Sequence, residues 1–383
     1  MARRSDQYRV SYSRNDTHRS RFSLTNLVMS VVTIVVAIVL LLSYLSQWID
    51  PSVGGGFLAY LPLIMPLLYL VDLVLLLFWI VRWHAMALIP LAVGLLGVGA
   101  VSLFWQPQML REYEESDRSK NRFKVMTFNA MGMNNRVNNR LVSALDEITA
   151  AIDSVHPDIL CLQEFQSTRN APRRKFNKMV PWLKHSKVVY KIDSRNDHGW
   201  GLAVYSRYPI LNSGHVDFEH LPNSAIWCDV VLKGDTVRVL NVHLQTTSIT
   251  TDEQKYINNM TFVTDTTRQE KFRNMYYKLG MNYRIRAEQA KVIRRAVEES
   301  PYEIIVCCDF NDPPMSYTYR KIARGLNDSY CEAGYGPSYT YKSFFNLLRI
   351  DYVLYSDGLK AHDYSSPLFD CSDHKPVAVT FEL

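Results

Sequence analysis

Seven short apolar runs in the last two-thirds of the chain each begin or end on a polar residue. Their length and their β-branched content are typical of buried strands. Ionisable groups at the ends of buried strands cost desolvation free energy unless they are paired or bind a metal. We therefore expect these polar residues to share one site. They are Asn129, Glu164, Arg207, His243, Asp309 with Asn311, Asp351, and Asp373 with His374.

The composition changes sharply near residue 110. Three apolar stretches precede that point, and each is long enough to cross a hydrocarbon core of ~30 Å: Leu24–Leu45, Phe57–Val81 and Ala85–Trp105. The first resembles a signal peptide in its basic flank, but it is longer than a usual signal-peptide core and lacks an obvious cleavage site. We expect three retained transmembrane helices. The predicted organisation is an arm (1–23), the spans (24–105), a juxtamembrane linker (106–121) and a soluble domain (122–383).

Basic residues predict the orientation of these spans. The arm contains six arginines, the loop Ser46–Gly56 contains no lysine or arginine, and Arg82 lies in the second turn. By the positive-inside rule the arm is cytoplasmic, so three spans place the soluble domain outside the cytoplasm. Basic residues between Arg111 and Lys124 leave the opposite placement open. Asp72, inside the second span, is either functional or makes an interhelical contact, and the second role is favoured because no polar relay surrounds it.

Charge and cysteine content give only weak indications of function. Of the 43 basic and 37 acidic residues, 7 and 4 lie in the first 110, so each part carries a net charge near +3. Such a net charge does not by itself indicate a polyanion-binding surface. Cys161, Cys307 and Cys308 lie in apolar runs, whereas Cys331 and Cys371 could pair outside the cytoplasm. The cysteine spacing does not indicate a structural zinc site.

Periodicity predicts the fold of the soluble domain. Apolar residues at helical spacing predict helices over Arg140–Val155 and Ile285–Glu298, the second after a long polar segment (244–283), and Lys233-Gly234 predicts a hairpin turn. Hairpins mixed with crossover helices predict an α+β fold, a four-layer αββα sandwich of two packed, largely antiparallel sheets. The predicted strands are Phe123–Asn129, one from Ile159, Gly199–Tyr208, Ile226–Leu232, Val237–His243, Glu303–Asp309, Asp351–Tyr355 and Val377–Glu382.

The residue types indicate metal-dependent hydrolysis. Oxygen ligands such as Asn129 and Glu164 suit Mg²⁺ or Mn²⁺ better than zinc. A histidine tied to a carboxylate is a common activator of water, and a metal offsets charge on phosphoryl oxygens. The adjacent residues Ser372, Asp373 and His374 cannot fold into a serine-hydrolase triad, and the sequence has no GxSxG motif.

The ordered motifs resemble the endonuclease/exonuclease/phosphatase superfamily, which includes deoxyribonuclease I-like nucleases, inositol-polyphosphate phosphatases and neutral sphingomyelinases. The resemblance spans about Phe123 to Leu383 and does not include the apolar stretches. Its motifs are TFN (127–129), LQE (162–164), SRYP (206–209), NVHL (241–244), DFN (309–311), RIDYVL (349–354) and SDH (372–374).

This resemblance implies a role for each site residue. Glu164 would be the principal metal carboxylate, with Asn129 beside it. His374 would be the general base on the attacking water, oriented by Asp351, and Asp373 would lie near the metal and the phosphate.

Asp309 and Asn311 would position the nucleophile and bind the phosphate, and His243 would donate a hydrogen bond to a phosphoryl oxygen. A purely structural role remains an alternative for three residues. His243 could be a hydrogen-bonded histidine at a strand end, Asn311 could form only an Asx turn, and Asp351 could form only an ion pair with Arg349. Cys308 stands where the family usually has glycine.

The predicted function is a membrane-anchored, Mg²⁺- or Mn²⁺-dependent phosphoester hydrolase with a histidine-activated water. A phosphodiesterase, a nuclease and a phosphatase all fit, and nucleic acid, a lipid headgroup or a small phosphoester could be the substrate. The predicted partners are this substrate and the bilayer, with no obligate protein partner. The alternative is a catalytically inactive interaction module on a membrane anchor.

Overall fold

The fold is taken from a computed structural model. It describes residues 24–107, 122–137, 140–167, 173–193, 198–218, 223–247, 266–342 and 346–383. The predicted arm and most of the predicted linker lie outside these ranges.

Two N-terminal helices are long and apolar enough to cross a membrane. Helix α1 is Leu24–Ser46, and α2 is Leu61–Val81, preceded by a 3₁₀ segment, Gly54–Tyr60. Only 22 % of the most apolar window of each is buried, so most of its apolar surface is uncovered. The third predicted span is not one long helix. It contains a 3₁₀ turn, Ala85–Ala87, then α3 (Leu88–Leu96) and α4 (Val98–Val101), which meet at Gly97.

Close packing among these helices explains two residues of the third stretch. A side chain at Gly97 would overlap the hydroxyl groups of Tyr44 and Tyr69, so only glycine fits this approach. Asp72 is 3 % exposed, and a methyl group at Gly94 would lie 3.4 Å from its Oδ2. Asp72 is therefore buried where α2 packs against α3.

Twelve of the described strands of the soluble domain form two six-stranded sheets. Sheet I has the order β12-β14-β11-β10-β9-β8, and sheet II has the order β15-β16-β2-β5-β7-β6. Neighbours are antiparallel except β10–β11 and β2–β5, which are parallel. Sheet I contains β8 (Ile210–Asp217), β9 (Ser224–Leu232), β10 (Asp235–His243), β11 (Glu303–Asp309), β12 (Asn327–Asp328) and β14 (Asp351–Tyr355). Sheet II contains β2 (Arg122–Asn129), β5 (Ile159–Ser167), β6 (His185–Asp193), β7 (His198–Ser206), β15 (Lys360–Ser365) and β16 (Val377–Glu382).

Three apolar cores hold four layers together. The central core lies between the sheets and includes Val125 and Val239, while the outer faces of the sheets are covered by helices. Helices α5 (Leu145–Val155) and α6 (Arg173–Met179) pack on sheet II, and α7 (Thr266–Glu298) and α8 (Tyr317–Ala323) pack on sheet I. The predicted arrangement of two sheets flanked by helices is confirmed. A short helix, α9 (Ser329–Ala333), follows β12.

Both predicted helices begin at residues other than those predicted, in the first case because local strand pairing replaces the helix. Residues Arg140–Ser143 form β4, which pairs with β3 (Asn134–Val137), so the predicted helix begins only at Leu145. The second helix is longer than predicted and begins at Thr266. At the predicted linker boundary, Trp105–Gln106 forms β1 and pairs with β13, Gly336–Pro337. All six cysteines are free, so Cys331 and Cys371 are not bonded to each other.

A buried polar joint connects the two sheets. The side-chain nitrogen of Asn241 in sheet I donates to the carbonyls of Leu162 (3.0 Å) and Ala203 (2.9 Å) in sheet II. Gln163 Nε2 returns a hydrogen bond to Asn241 Oδ1 (2.7 Å) and also donates to Thr127 (2.8 Å). The joint fixes how the sheets are aligned, because an apolar interface alone is not directional.

We expect Asn241→Ala to reduce the free energy of unfolding by about 2–4 kcal/mol, because it leaves buried carbonyls and the Gln163 amide without their partner. The measurement is denaturant unfolding of the full chain in detergent. The matched control is Asn212→Ala at an exposed site on β8, which should change stability by less than ~0.5 kcal/mol. A similar small change for Asn241→Ala would show that the joint is not needed.

Candidate active site

Strand register brings three predicted residues side by side. In sheet I, His243 at the end of β10 pairs with Asp309 at the end of β11, and Asp309 pairs with Asp351 at the start of β14. In sheet II, Asn129 ends β2 opposite Gln163, one residue before Glu164. These strand ends meet at one rim of the sandwich.

Asn129 connects the two carboxylates nearest to it. Its Nδ2 lies 2.9 Å from Asp309 Oδ2 and 3.4 Å from Glu164 Oε1. Its Oδ1 accepts the backbone N–H of Met131 at 3.0 Å, which determines how the amide is turned. Asn129 therefore directs its nitrogen, not its oxygen, toward Glu164 and Asp309.

His374 is held by Asp351. Its Nδ1 lies 3.0 Å from Asp351 Oδ2, and its Nε2 lies 3.8 Å from Asp309 Oδ2. Ligand atoms of these three residues all lie within 4.8 Å of one another. Arg349 forms its ion pair with Asp328, at 2.8 Å. The alternative in which Asp351 is paired with Arg349 is therefore not what the structure shows.

His243 is buried but not satisfied through Nε2. This atom lies 3.8 Å from both Glu164 Oε1 and Asp309 Oδ2, and among the described residues it has no hydrogen-bond partner. The alternative of a satisfied strand-end histidine does not describe this geometry.

Glu164 lies at an irregular point of β5. The register with β7 shifts between Leu162 and Phe165, and the backbone of Glu164 has φ 52°. A non-glycine residue in the left-handed region stores conformational strain, and such residues cluster at functional sites. The bulge lets Phe165 return to the apolar core while Glu164 faces the rim.

Comparison with known families agrees with this geometry. The model of the endonuclease/exonuclease/phosphatase family matches residues 126–374, about two-thirds of the chain. The chain belongs to this family. A second family model, described as a domain of unknown function, matches residues 26–104.

Solved structures share the fold of this family member at low sequence identity. A family protein from Bacteroides vulgatus is 18% identical, with 68% of this chain and 99% of that chain covered and a TM-score of 0.50. One from Beutenbergia cavernae is 17% identical over 68% and 72%, with a TM-score of 0.49. The human Nocturnin catalytic domain with bound sulfate is 19% identical over 68% and 93%, with a TM-score of 0.46. None of the curated proteins compared with this sequence matches it.

Burial and crowded charges shift the pKa values of the rim residues. Burial and the charges of Asp373 and Asp309 raise the pKa of Glu164 to about 7. Burial and the Asp351 charge also raise the pKa of Asp309, whereas burial lowers the pKa of His243. For His374, burial acts to lower the pKa, but Asp351 and Asp309 outweigh it and raise the pKa well above its usual value.

The donor set fits a divalent cation. Two carboxylates share one amide nitrogen, their pKa values are raised, and the His243 Nε2 beside them lacks a partner among the described residues. Carboxylates crowded in this way are stabilised by a cation, and oxygen donors suit Mg²⁺ or Mn²⁺.

The remaining predicted residues lie around this centre. Asn311 donates its backbone N–H to Asp309 Oδ1 (2.9 Å), so the Asx turn here is formed by Asp309 and not by Asn311, whose side-chain nitrogen points to the Leu244 carbonyl (3.4 Å). Asp373 is partly exposed directly before His374. Arg207 pairs with Asp158 at 3.0 Å and supports the strand end.

The Cys308 side chain packs in the outer core of sheet I, with Sγ 3.4 Å from the Tyr352 carbonyl. It therefore does not obstruct the rim.

Sequence reasoning missed the residues that support the site. Ser372 accepts the backbone N–H of His374 (3.1 Å) and donates to the Asn129 carbonyl (2.8 Å). Thr340 accepts the backbone N–H of Asp351 at 3.1 Å. Ser372 stands inside a recognised motif, which is a signal for its role, but Thr340 stands in no motif.

We expect added Mg²⁺ to stabilise the protein more at about pH 8 than at about pH 6. Glu164 must release its proton to bind a cation, and with a pKa of about 7 this weakens apparent affinity at pH 6 by about tenfold. Without metal the sign is opposite. The raised pKa means that the folded state binds more protons between about pH 4.5 and 7, so this group lowers stability as pH rises.

The measurement is the melting temperature with Mg²⁺ and with EDTA at both pH values. Glu164→Gln is the matched control and should lose the metal-dependent increment at both. An increment independent of pH in the unmodified protein would contradict a metal-binding role for Glu164.

Proposed function

We propose that this family member is a membrane-anchored phosphoester hydrolase that uses Mg²⁺ or Mn²⁺ and a histidine-activated water. The observation that carries the proposal is the meeting of carboxylates and imidazoles from both sheets at one buried rim. A catalytically inactive module has no need for such a cluster, which is costly to bury.

Glu164 and Asp309 would hold the cation, because the Asn129 amide nitrogen brings their carboxylate oxygens together at the rim. When bound, the cation would neutralise charge on the phosphoryl oxygens. Asn129, predicted as a second ligand, would instead orient both carboxylates through its nitrogen. Asp373 would lie at the outer side of the metal and phosphate.

In its neutral form, which its raised pKa places at higher pH, His374 would take the proton from water through Nε2. Its Nδ1 is engaged by Asp351, which fixes the ring and increases its basicity. His243 would be neutral, because burial lowers its pKa, and its Nε2 would donate to a phosphoryl oxygen. Asp309 would also help to position the nucleophile, and Asn311 would bind the phosphate from the turn beside it.

We expect His374→Ala to lower hydrolysis of a soluble phosphodiester by at least ~10²-fold, the low end for a general base. Mg²⁺ uptake measured by calorimetry should persist, because the carboxylates remain. Glu164→Gln should lose both uptake and activity. His215→Ala on the edge strand β8 is the matched histidine control and should stay close to full activity. Full activity of His374→Ala would remove His374 from the mechanism.

Contacts with the soluble domain support three membrane crossings. The α1–α2 connection touches this domain through Asp50–Lys291 (2.8 Å) and through Tyr60, which stacks on Tyr276. At the end of the third stretch, the Phe104 carbonyl accepts the N–H of Ser338 at 3.0 Å. Both contacts must lie on one side of a membrane.

Helix α2, about 31 Å long, carries the chain to the opposite side. The 20 residues Ala85–Phe104 would therefore cross back despite the break at Gly97, since they too span about 30 Å if helical. The uncovered apolar faces of α1 and α2 fit a lipid environment. With a cytoplasmic arm, the catalytic domain lies outside the cytoplasm.

Reporter fusions test this topology. Alkaline phosphatase, which is active only outside the cytoplasm, should be active when fused after Leu383 and inactive when fused after Trp83. A cytoplasmic fluorescent protein should give the opposite result. The same side for both fusion points would exclude the third crossing, and a cytoplasmic Leu383 would reverse the sidedness.

A further inference from the structure

The transmembrane region contacts a loop that begins at the candidate metal site. Met315 lies six residues after Asp309 and is buried against Met65 and Ala100 of the transmembrane region. Because an extended chain spans at most about 3.5 Å per residue, Asp309 lies within about 21 Å of this contact. Met65 is in the first turns of α2, at the end that faces the catalytic domain.

A second contact reaches the other side of the same site. Gly336–Pro337 pairs with Trp105–Gln106 directly after the third apolar stretch. Thr340, three residues after Pro337, accepts the backbone N–H of Asp351, and its carbonyl accepts the N–H of Lys375 beside His374. The end of the transmembrane region is therefore only a few residues from the Asp351–His374 pair.

Exposed aromatic residues mark the level of the membrane surface. Trp48, Phe57, Trp105 and Tyr335 are each at least 50 % exposed, and the first three lie at the ends of the apolar stretches. Tryptophan and tyrosine favour the lipid headgroup region. Tyr335 belongs to the catalytic domain and directly precedes the strand that pairs with Gln106. This end of the domain would thus lie at the headgroup layer.

We propose that the substrate is the phosphoester of a membrane lipid headgroup in the leaflet beneath the catalytic domain. This rests on the proposed hydrolase function and specifies its substrate class. The two contacts described above, at Met315 and at Gly336–Pro337, flank the site, so phosphates of neighbouring lipids would lie within reach of it. The net charge of the catalytic part, near +3, gives no strong electrostatic footprint for nucleic acid beside an anionic membrane.

The reaction balances with water alone. The oxygen of one water molecule bonds to phosphorus while one P–O ester bond breaks. His374 Nε2 takes a proton from the water, and a proton is returned to the leaving oxygen. A lipid phosphodiester would give a phosphomonoester and an alcohol, one of which stays in the membrane.

The test uses the full chain reconstituted in vesicles of phosphatidylcholine, phosphatidylethanolamine, phosphatidylglycerol and sphingomyelin with Mg²⁺. Protein-free vesicles with isotope-labelled lipids are added, and water-soluble products are followed by mass spectrometry. Parallel reactions contain plasmid DNA or bis(p-nitrophenyl) phosphate. We expect lipids in the protein's own vesicles to be cleaved at least ~10-fold faster than the labelled lipids, through their higher effective concentration.

Each result decides between the two proposals. Cleavage of bis(p-nitrophenyl) phosphate or DNA without lipid cleavage would overturn the lipid proposal and leave the hydrolase function intact. Equal rates for the two vesicle populations would overturn presentation by the protein's own membrane. Failure to cleave any of these substrates would overturn both proposals. His374→Ala should abolish every activity and excludes a contaminating enzyme.

A matched pair of tyrosine variants tests the surface. Tyr335→Ser should lower lipid cleavage several-fold and leave hydrolysis of bis(p-nitrophenyl) phosphate unchanged. Tyr302→Ser is the control, because this exposed tyrosine precedes β11 at the end opposite Asp309. Equal effects of the two variants on lipid cleavage would contradict contact of Tyr335 with the headgroup layer.

Discussion

The hydrogen bond from Asn129 to Asp309 joins the two sheets at the point where the candidate chemistry lies. Asn129 ends a strand of sheet II, and Asp309 ends a strand of sheet I. The His374–Asp351 contact crosses between the sheets in the same way, and the Asn241 joint crosses below it. Each sheet supplies half of the site. The relative alignment of the two sheets therefore determines the geometry of the site.

Without a bound cation, the buried carboxylates of the site lower the stability of the folded protein. Asp309 is fully buried between two histidines and beside Glu164, and the pKa values of both carboxyl groups are raised. Raised values mean that folding disfavours their charged forms. The cost is tolerable because the backbone is held elsewhere, through the apolar core and the Arg349–Asp328 ion pair beside the site. A bound cation would replace the repulsion among these carboxylates with attraction. The residues that are costly to bury are therefore the ones that would bind the cation.

The sequence predicts central strands better than edges and helix starts. Asp351–Tyr355 and Glu303–Asp309 are found with the predicted bounds, because a fully buried strand leaves an uninterrupted apolar run. Edge strand β6 carries mixed polar residues and gives no such signal. Leu141 fits a helical pattern but belongs to a hairpin, because its strand pairs with the strand that contains Arg136. Motif order also predicts which polar residues approach one another, whereas the orientation of the Asn129 amide depends on Met131 N–H and cannot be read from spacing.

The N-terminal segment that contains the apolar helices packs directly against the domain that contains the candidate site. Arg320 stacks on Trp48 and donates to Gln47, while the neighbouring α7 contacts Asp50 and Tyr60. On the inner side of α7, Arg286 pairs with Asp312 at 2.9 Å, three residues after Asp309. One helix, α7, therefore contacts both the N-terminal segment and the loop that follows Asp309. A flexible linker would sample many orientations, whereas these contacts hold the N-terminal segment in one orientation relative to the candidate site, so this conformational entropy is lost on folding and not on binding.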